Sequence, residues 1–219
     1  MRQRHVYFEN TYDFTTSTRV TQTGSSDKGP WITLADNIFH PQGGGQPSDV
    51  GTVNGAQAHP FKAPEETEHL VRLACEQTFA VGEEVTSAID PELRRLHAAL
   101  HTCGHVVDGF VRAMGFQHRV SNHFPGQARI EFDLGQEKPD LEQLARTVEE
   151  RTRRAIDADH KVYAVERGNL RMVVIDGLNE DACGGTHVSS LSCLTGFSLR
   201  SVKVKKGILK VGYTVAHAE

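Results

Sequence analysis

The stretch "DPELRRLHAALHTCGHVVDGFVRAMG", residues 90–115, decides how the chain is organised. Asp90 is a helix cap, Pro91 takes the first helical position, and Glu92 follows in the first turn. Leu93, Leu96, Leu100, Val107 and Val111 keep helical spacing, and Gly115 is a natural stop. The spacing predicts a long buried helix. On it His101 and His105 stand four residues apart, so both rings leave the same face one turn from each other. Two imidazoles at that spacing can share a metal ion. In a chain with twelve histidines, the same spacing also arises by chance. Cys103 points away from the pair and is expected to be a packing residue.

The chain before this helix has a different texture. "HVYFENTYDFTTSTRVTQTG" and "SSDKGPWITL" are aromatic and β-branched. The segment "HLVRLACEQTFAVGEEVTSAID", residues 69–90, continues the strand-like pattern. Short strands with glycine-rich turns predict a small barrel or a sandwich. After the helix, "HRVSNHFPGQARIEFDL" reads as a hairpin turning at Pro125-Gly126. "KPDLEQLARTVEERTRRAIDAD" reads as an amphipathic helix with Leu141, Leu144 and Val148 inward. "KVYAVERG" and "LRMVVID" read as strands, and the final segment reads as a hairpin turning at Lys206-Gly207. The expected organisation is a β domain over residues 1–90 and an α+β domain over residues 91–219.

Bulk properties narrow the function. The 219 residues are 38% hydrophobic and 24% charged, as in an ordinary globular protein. No apolar run reaches membrane-spanning length, and "MRQRHVYFEN" lacks the apolar core of a signal peptide, so the expected location is the cytoplasm, with no membrane partner. Four cysteines (Cys75, Cys103, Cys183 and Cys193) are too few for a disulfide framework, which leaves metal binding or catalysis for any special thiol. A net charge of −4 means that nucleic-acid contact would need locally concentrated positive charge. Nothing in the sequence indicates an oligomeric state.

A second motif answers the first. "DACGGTHVSS", residues 181–190, places Cys183 and His187 around two glycines. HxxxH with CxxxH supplies three nitrogens and one sulfur, a tetrahedral zinc set in which the thiolate excludes magnesium and calcium. The glycines let the backbone fold closely around an ion. Thr102 occupies the position where a metalloprotease helix carries its glutamate, and the H-x-E with C-x-x-C pattern of deaminases is absent. From spacing alone the chain is a zinc-binding α+β protein.

These motifs resemble the editing domain of alanyl-tRNA synthetase and its free-standing relatives, the AlaX trans-editing proteins. "IFHPQGGGQPSDVG" is similar to the glycine-rich motif of the synthetase and of the medium-length AlaX class, although His40 stands where that motif often has tyrosine. "SNHFPGQARIEFD" resembles the segment that follows the helix in some members. The resemblance runs over nearly the whole chain and does not include an aminoacylation core. It implies a small β-barrel followed by an α+β editing domain of the threonyl/alanyl-tRNA synthetase type. The implied activity is ATP-independent hydrolysis of the ester joining serine, or glycine, to the 3′ end of alanine tRNA. It implies one zinc ion held by His101, His105, Cys183 and His187.

Thr102, Ser121 and Asn122 are the expected substrate residues. Gly43, Gly44 and Gly45 are expected over the editing pocket or acceptor end, with Gln46 and Asp49 fixing that loop. Lys203, Lys205, Lys206, Arg153 and Arg154 are the candidates for tRNA contact, with Lys210 and Arg151 beside them. For the lysines, protection of an edge strand is an equal alternative. The rival functions are editing of another mischarged tRNA, as in the threonyl system, and a non-catalytic RNA-binding module with structural zinc.

Overall fold

A computed structural model describes residues 2–63, 70–135 and 138–218. Met1, His69 and Glu219 lie outside the described residues. The chain forms two units: Met1–Gly43 with Pro47–Arg95, and Gly44–Gln46 with Leu96–Glu219.

The first unit contains β1 (Arg4–His5), α1 (Val6–Glu9), β2 (Thr15–Ser26), β3 (Gly29–Leu34) and β4 (Asp36–Asn37). It continues through β5 (Gly51–Val53), β6 (Ala56–Lys62), β7 (Val71–Ala74) and β8 (Glu84–Ile89). Six of these close into a barrel in the order β2-β3-β7-β6-β5-β8, all neighbours antiparallel. Closure removes the free edges that such short strands would otherwise expose. Alternation does the packing: β8 buries Val85, Ser87 and Ile89 and turns Glu84 and Thr86 outward. Asn54 and Gly55, both at positive φ, make the two-residue turn between β5 and β6. The aromatic stretch at the start departs from a purely extended reading. Residues 6–9 form a single helical turn, closed by Asn10 N–H on Val6 O at 3.0 Å, which buries Val6 and Tyr7.

A buried ion pair ties this unit together. The Arg94 side chain is fully buried and pairs with Asp49, its Nε donating to Asp49 Oδ1 at 3.0 Å. Its remaining donors reach Thr11 O at 3.0 Å and Ile38 O at 2.6 Å. Asp49 also accepts from the His40 backbone N–H at 2.6 Å. Burial lowers the pKa of the neighbouring His40 to about 4, so that ring is neutral.

The second unit is built on α2 (Pro91–Arg112), whose first residues belong to the first unit and whose cap is Asp90, accepting from Leu93 N–H at 3.0 Å. There follow β9 (Gln117–Asn122), β10 (Arg129–Asp133), α3 (Leu141–Asp157), β11 (Val162–Arg167), β12 (Leu170–Ile175) and β13 (Asn179–Ala182). The unit ends with the hairpin β14 (Leu194–Lys205) and β15 (Ile208–His217). One antiparallel sheet has the order β14-β15-β10-β9 and the other β11-β12-β13. Lys206 and Gly207 turn the last hairpin at positive φ. Asp140 caps α3 by accepting from Glu142 and Gln143 N–H, and α3 buries Leu144, Val148, Thr152 and Ala155. The inner face of α2 buries Leu100, Cys103, Val107 and Val111 in the same core as Ile130, Leu209 and Val211. Burial pushes the Cys103 thiol pKa far up, which keeps it an inert packing group. Among the described residues, no helix is long and apolar enough to cross a membrane.

Candidate metal centre and cavity

The two motifs meet in the second unit. His101, His105, Cys183 and His187 each bring one ligand atom into a group whose members all lie within 4.8 Å of one another. Cys183 Sγ is 3.4 Å from His101 Nε2 and 3.2 Å from His187 Nε2. The helix places His101 and His105 one turn apart, with ring centroids at 5.1 Å. The loop after β13 supplies Cys183 and His187. Arg171 steadies that loop by donating to Cys183 O at 2.8 Å and Gly185 O at 3.2 Å. Gly185 leaves room for the group: a Cβ there would stand 2.2 Å from His101 Cε1 and 2.8 Å from Gln46 Oε1.

The nitrogen of each imidazole that faces away from the group is engaged. Gln46 Oε1 lies 2.8 Å from His101 Nδ1 and also accepts from Thr186 N–H at 2.9 Å. The Gln46 amide nitrogen donates to Thr186 Oγ1 at 2.9 Å, which sets the amide orientation and puts the His101 proton on Nδ1. Asp181 Oδ2 lies 3.3 Å from His105 Nδ1. Thr102 Oγ1 lies 3.1 Å from His187 Nδ1 and accepts from Val188 N–H at 3.2 Å. All three rings therefore turn Nε2 toward Cys183. Outer partners of this kind orient the histidines in metal sites.

Electrostatics favour a cation here. Burial alone would lower the His105 pKa, but hydrogen bonds to Asp181 and Cys183 outweigh it and raise it to about 9. Burial would raise the Asp181 pKa, yet His105, Asn179 and Arg112 bring it down to about 2. The Cys183 thiol is likewise drawn down against its burial, chiefly by His105. Two anions thus hold a positive charge between them. Three imidazole nitrogens and a thiolate, converging and pre-oriented, can hold a metal ion in the same place.

A cavity of about 380 Å³ opens on this group. That volume suits a small molecule or the end of a larger one. His101, His105 and Cys183 line the cavity and His187 does not, so His187 stands behind the group. His123, absent from the sequence expectations, lines it too. Its ring stacks on His101 at 4.4 Å, and its Nδ1 lies 2.6 Å from the Tyr213 hydroxyl, which donates to Leu100 O at 2.9 Å. The tyrosine proton being used, the His123 proton sits on Nδ1 and Nε2 is an acceptor. Gly104 makes room: a Cβ there would lie 2.4 Å from the His123 ring. Burial holds the His123 pKa near 3, so the ring stays neutral.

The other expected residues fall in several places. Ser121 and Gly44 line the cavity. Gly45 sits against the Ser121 backbone, where a Cβ would come within 2.6 Å of its carbonyl oxygen. Asn122 is used in the hairpin turn, accepting from Phe124 N–H at 3.0 Å. Thr102 is fully buried, with its hydroxyl turned to His187. Gly43 and Asp49 belong to the first unit. Lys203, Lys205 and Lys206 are exposed at the tip of the last hairpin, and Lys210 pairs with Glu131 at 2.7 Å. Arg153 and Arg154 pair with Glu149 and Glu150 of their own helix. None of these basic residues lines the cavity. Asp108, Arg112, His118 and Asp181 do line it, and none was singled out from the sequence. The one signal available was the i,i+4 spacing of Asp108 and Arg112.

A β-barrel unit followed by an α+β unit, in which an HxxxH helix meets a CxxxH loop at the wall of a cavity, defines the class. No family model matches the chain. Individual relatives do match. An AlaX-M alanyl-tRNA editing protein of Pyrococcus horikoshii is 28% identical over 194 residues, covering 86% of each chain. The alanyl-tRNA editing protein Aarsd1 of Danio rerio is 29% identical over 183 residues, 74% of this chain and 43% of the relative. An alanine–tRNA ligase of Methanosphaera stadtmanae is 29% identical over 216 residues, 84% of this chain and 24% of the ligase. The chain thus spans less than half of the Danio protein and about a quarter of the ligase. The match to AlaX-M runs over nearly the full length of both chains, so the chain is similar to the AlaX-type proteins as a whole.

Proposed function

We propose that this protein is a zinc-dependent trans-editing hydrolase that deacylates alanine tRNA mischarged with serine or glycine. One observation carries the reading. The converging His₃Cys group stands at the wall of a cavity of about 380 Å³, in a chain matched over 86% of its length to a protein named for alanyl-tRNA editing. The donor set suits zinc in particular, since a thiolate with three imidazoles disfavours hard cations. Zinc bound there would supply a Lewis acid that stabilises negative charge on the ester oxygen. The chain's own residues do the rest. Gln46, Asp181 and Thr102 hold the ligand rings in one tautomer each. His123 presents a neutral acceptor to whatever donor the aminoacyl group or the attacking water offers. A cavity of about 380 Å³ has room for an aminoacyl ester. Lys203, Lys205 and Lys206, with Arg153 and Arg154, are the groups proposed to meet the tRNA backbone, by an attraction that weakens with salt.

The test is deacylation of seryl-, glycyl- and alanyl-tRNA(Ala) by the purified protein at one zinc per chain. Seryl-tRNA should be hydrolysed at least about tenfold faster than alanyl-tRNA, because a site built to pair a substrate hydroxyl rejects the analogue that lacks it; for glycyl-tRNA, which has no hydroxyl, only the smaller side chain can favour hydrolysis. Four protein donors also close a tetrahedral shell, which favours a second reading, an RNA-binding module with structural zinc. No hydrolysis of any substrate, with zinc and RNA bound, would decide for that second reading.

A further inference from the structure

The cavity has two walls of different chemistry. One is neutral, made of the His101–His123 stack with Gly44 and Gly104. The other is charged, and its members form a continuous chain. His118 Nδ1 lies 2.7 Å from Asp108 Oδ1, and Asp108 Oδ2 lies 2.7 Å from Arg112 Nε. Arg112 donates to both carboxylate oxygens of Asp181 at 2.8 Å, and Asp181 reaches His105. Every charge has its opposite beside it. Asp108 is 8% exposed, with one oxygen against His118 and the other ion-paired with Arg112.

His118 and Arg112 are the most exposed members, at 38% and 37%. His101 is buried, whereas His118 stands at the rim. With Nδ1 turned to Asp108, Nε2 is left on the opposite side of the ring, without a hydrogen-bond partner among the described residues. The charged groups facing the ring are Asp108 and Arg112 from α2, with Asp181 of β13 behind them. Across the sheet its register partner is Phe132, so β10 brings no charge at that point. A carboxylate-held imidazole with Nε2 open to a cavity is an arrangement that moves protons at that nitrogen.

We propose that His118 is a catalytic residue, protonating the 3′ oxygen of the terminal ribose as the aminoacyl ester breaks. This rests on the cavity receiving the aminoacyl end of a tRNA. The acyl group would lie inward against the His₃Cys group, which leaves the ribose at the rim, beside His118. The water oxygen bonds to the ester carbon, and the bond from that carbon to the ribose oxygen breaks with its electron pair on the ribose side. The proton from His118 Nε2 neutralises that oxygen. The proton shed by the attacking water replaces the one given, so ester plus water becomes amino acid plus a free 3′ hydroxyl. Asp108 and Arg112 are positioning residues that fix the ring and balance its charge.

The experiment is single-turnover deacylation of seryl-tRNA(Ala) by the zinc-loaded wild type, His118→Gln and Asp108→Asn across a range of pH. His118→Gln should lower the hydrolysis rate about 100-fold with the half-saturating tRNA concentration changed less than about threefold, and bound zinc unchanged. The pH profile of the rate should differ in shape between the wild type and His118→Gln. Asp108→Asn should show a smaller rate loss, about tenfold. A His118→Gln rate within about threefold of wild type, or the same pH profile in both, overturns the proposal while leaving the editing reading intact. A wild type inactive on every aminoacyl-tRNA overturns the reading and the proposal together.

Discussion

Each unit buries one polar cluster, and the two are built on opposite plans. In the barrel unit, Arg94 spends its donors on Asp49, Thr11 and Ile38, and Asp49 spends its oxygens on Arg94 and the His40 backbone. The pair is complete within itself and needs no guest. In the other unit, Gln46, Asp181 and Thr102 satisfy the outward nitrogens of three histidines. Their inward atoms crowd toward one another and Cys183 within 4.8 Å. Satisfied outer atoms with crowded inner ones form a cluster that could hold a cation. Both plans draw on one short motif, "GGGQPSD", which gives Gln46 to the histidines and Asp49 to the arginine. Neighbouring polar residues in a motif therefore need not share a role.

Three substitutions press on that contrast. The largest effect is expected from Cys183→Ala. It removes the only sulfur donor, so the protein should lose its metal on dialysis against a chelator and lose deacylation by on the order of 100-fold or more. Its circular dichroism should stay that of a folded protein, because the barrel does not depend on that thiol. Full zinc content in this variant would end the metal assignment. Arg94→Met is the mirror experiment. Leaving Asp49 buried without its partner should cost about 3–5 kcal/mol in denaturant unfolding. Zinc per folded molecule should not change, and a variant that unfolds normally but loses zinc would erase the distinction between the two clusters. The smallest effect is expected from Gly185→Ala. Its Cβ must push His101 or Gln46 aside, so chelator competition should show metal affinity down about 10- to 100-fold with the ion still bindable. Unchanged affinity would mean that the loop yields and His101 does not.

Much of the fold was legible before any coordinates. Local rules govern its strongest signals: a capped helix with a regular apolar stripe, hairpins marked by Pro125-Gly126 and Lys206-Gly207, and alternation along strands. The four residues of the group that could hold a metal were legible because each half is a short local spacing, i and i+4 in both cases. Barrel closure came into the sequence reading only through the resemblance, since period-2 patterns do not distinguish a barrel from a sandwich. The charged wall of the cavity was not legible. Asp108 and Arg112 are ordinary polar positions on an amphipathic helix, and His118 and His123 lie on a strand and in the turn after it. Asp181 comes from a third element. Thr102 was read as a candidate for contact with the substrate, but its hydroxyl faces His187, which depends on how the helix meets the loop.

The sequence by itself determined the elements and the ligand types, because helix caps, turn residues and i,i+4 spacing act over distances of one turn. Only the tertiary structure decided which atoms meet: that Gln46 orients His101 from 55 residues away, that His187 stands behind the group, and that a charged chain runs from His118 to His105. Those relations depend on packing between elements far apart in the chain, where the position of each polar group is set by the need to pair once buried.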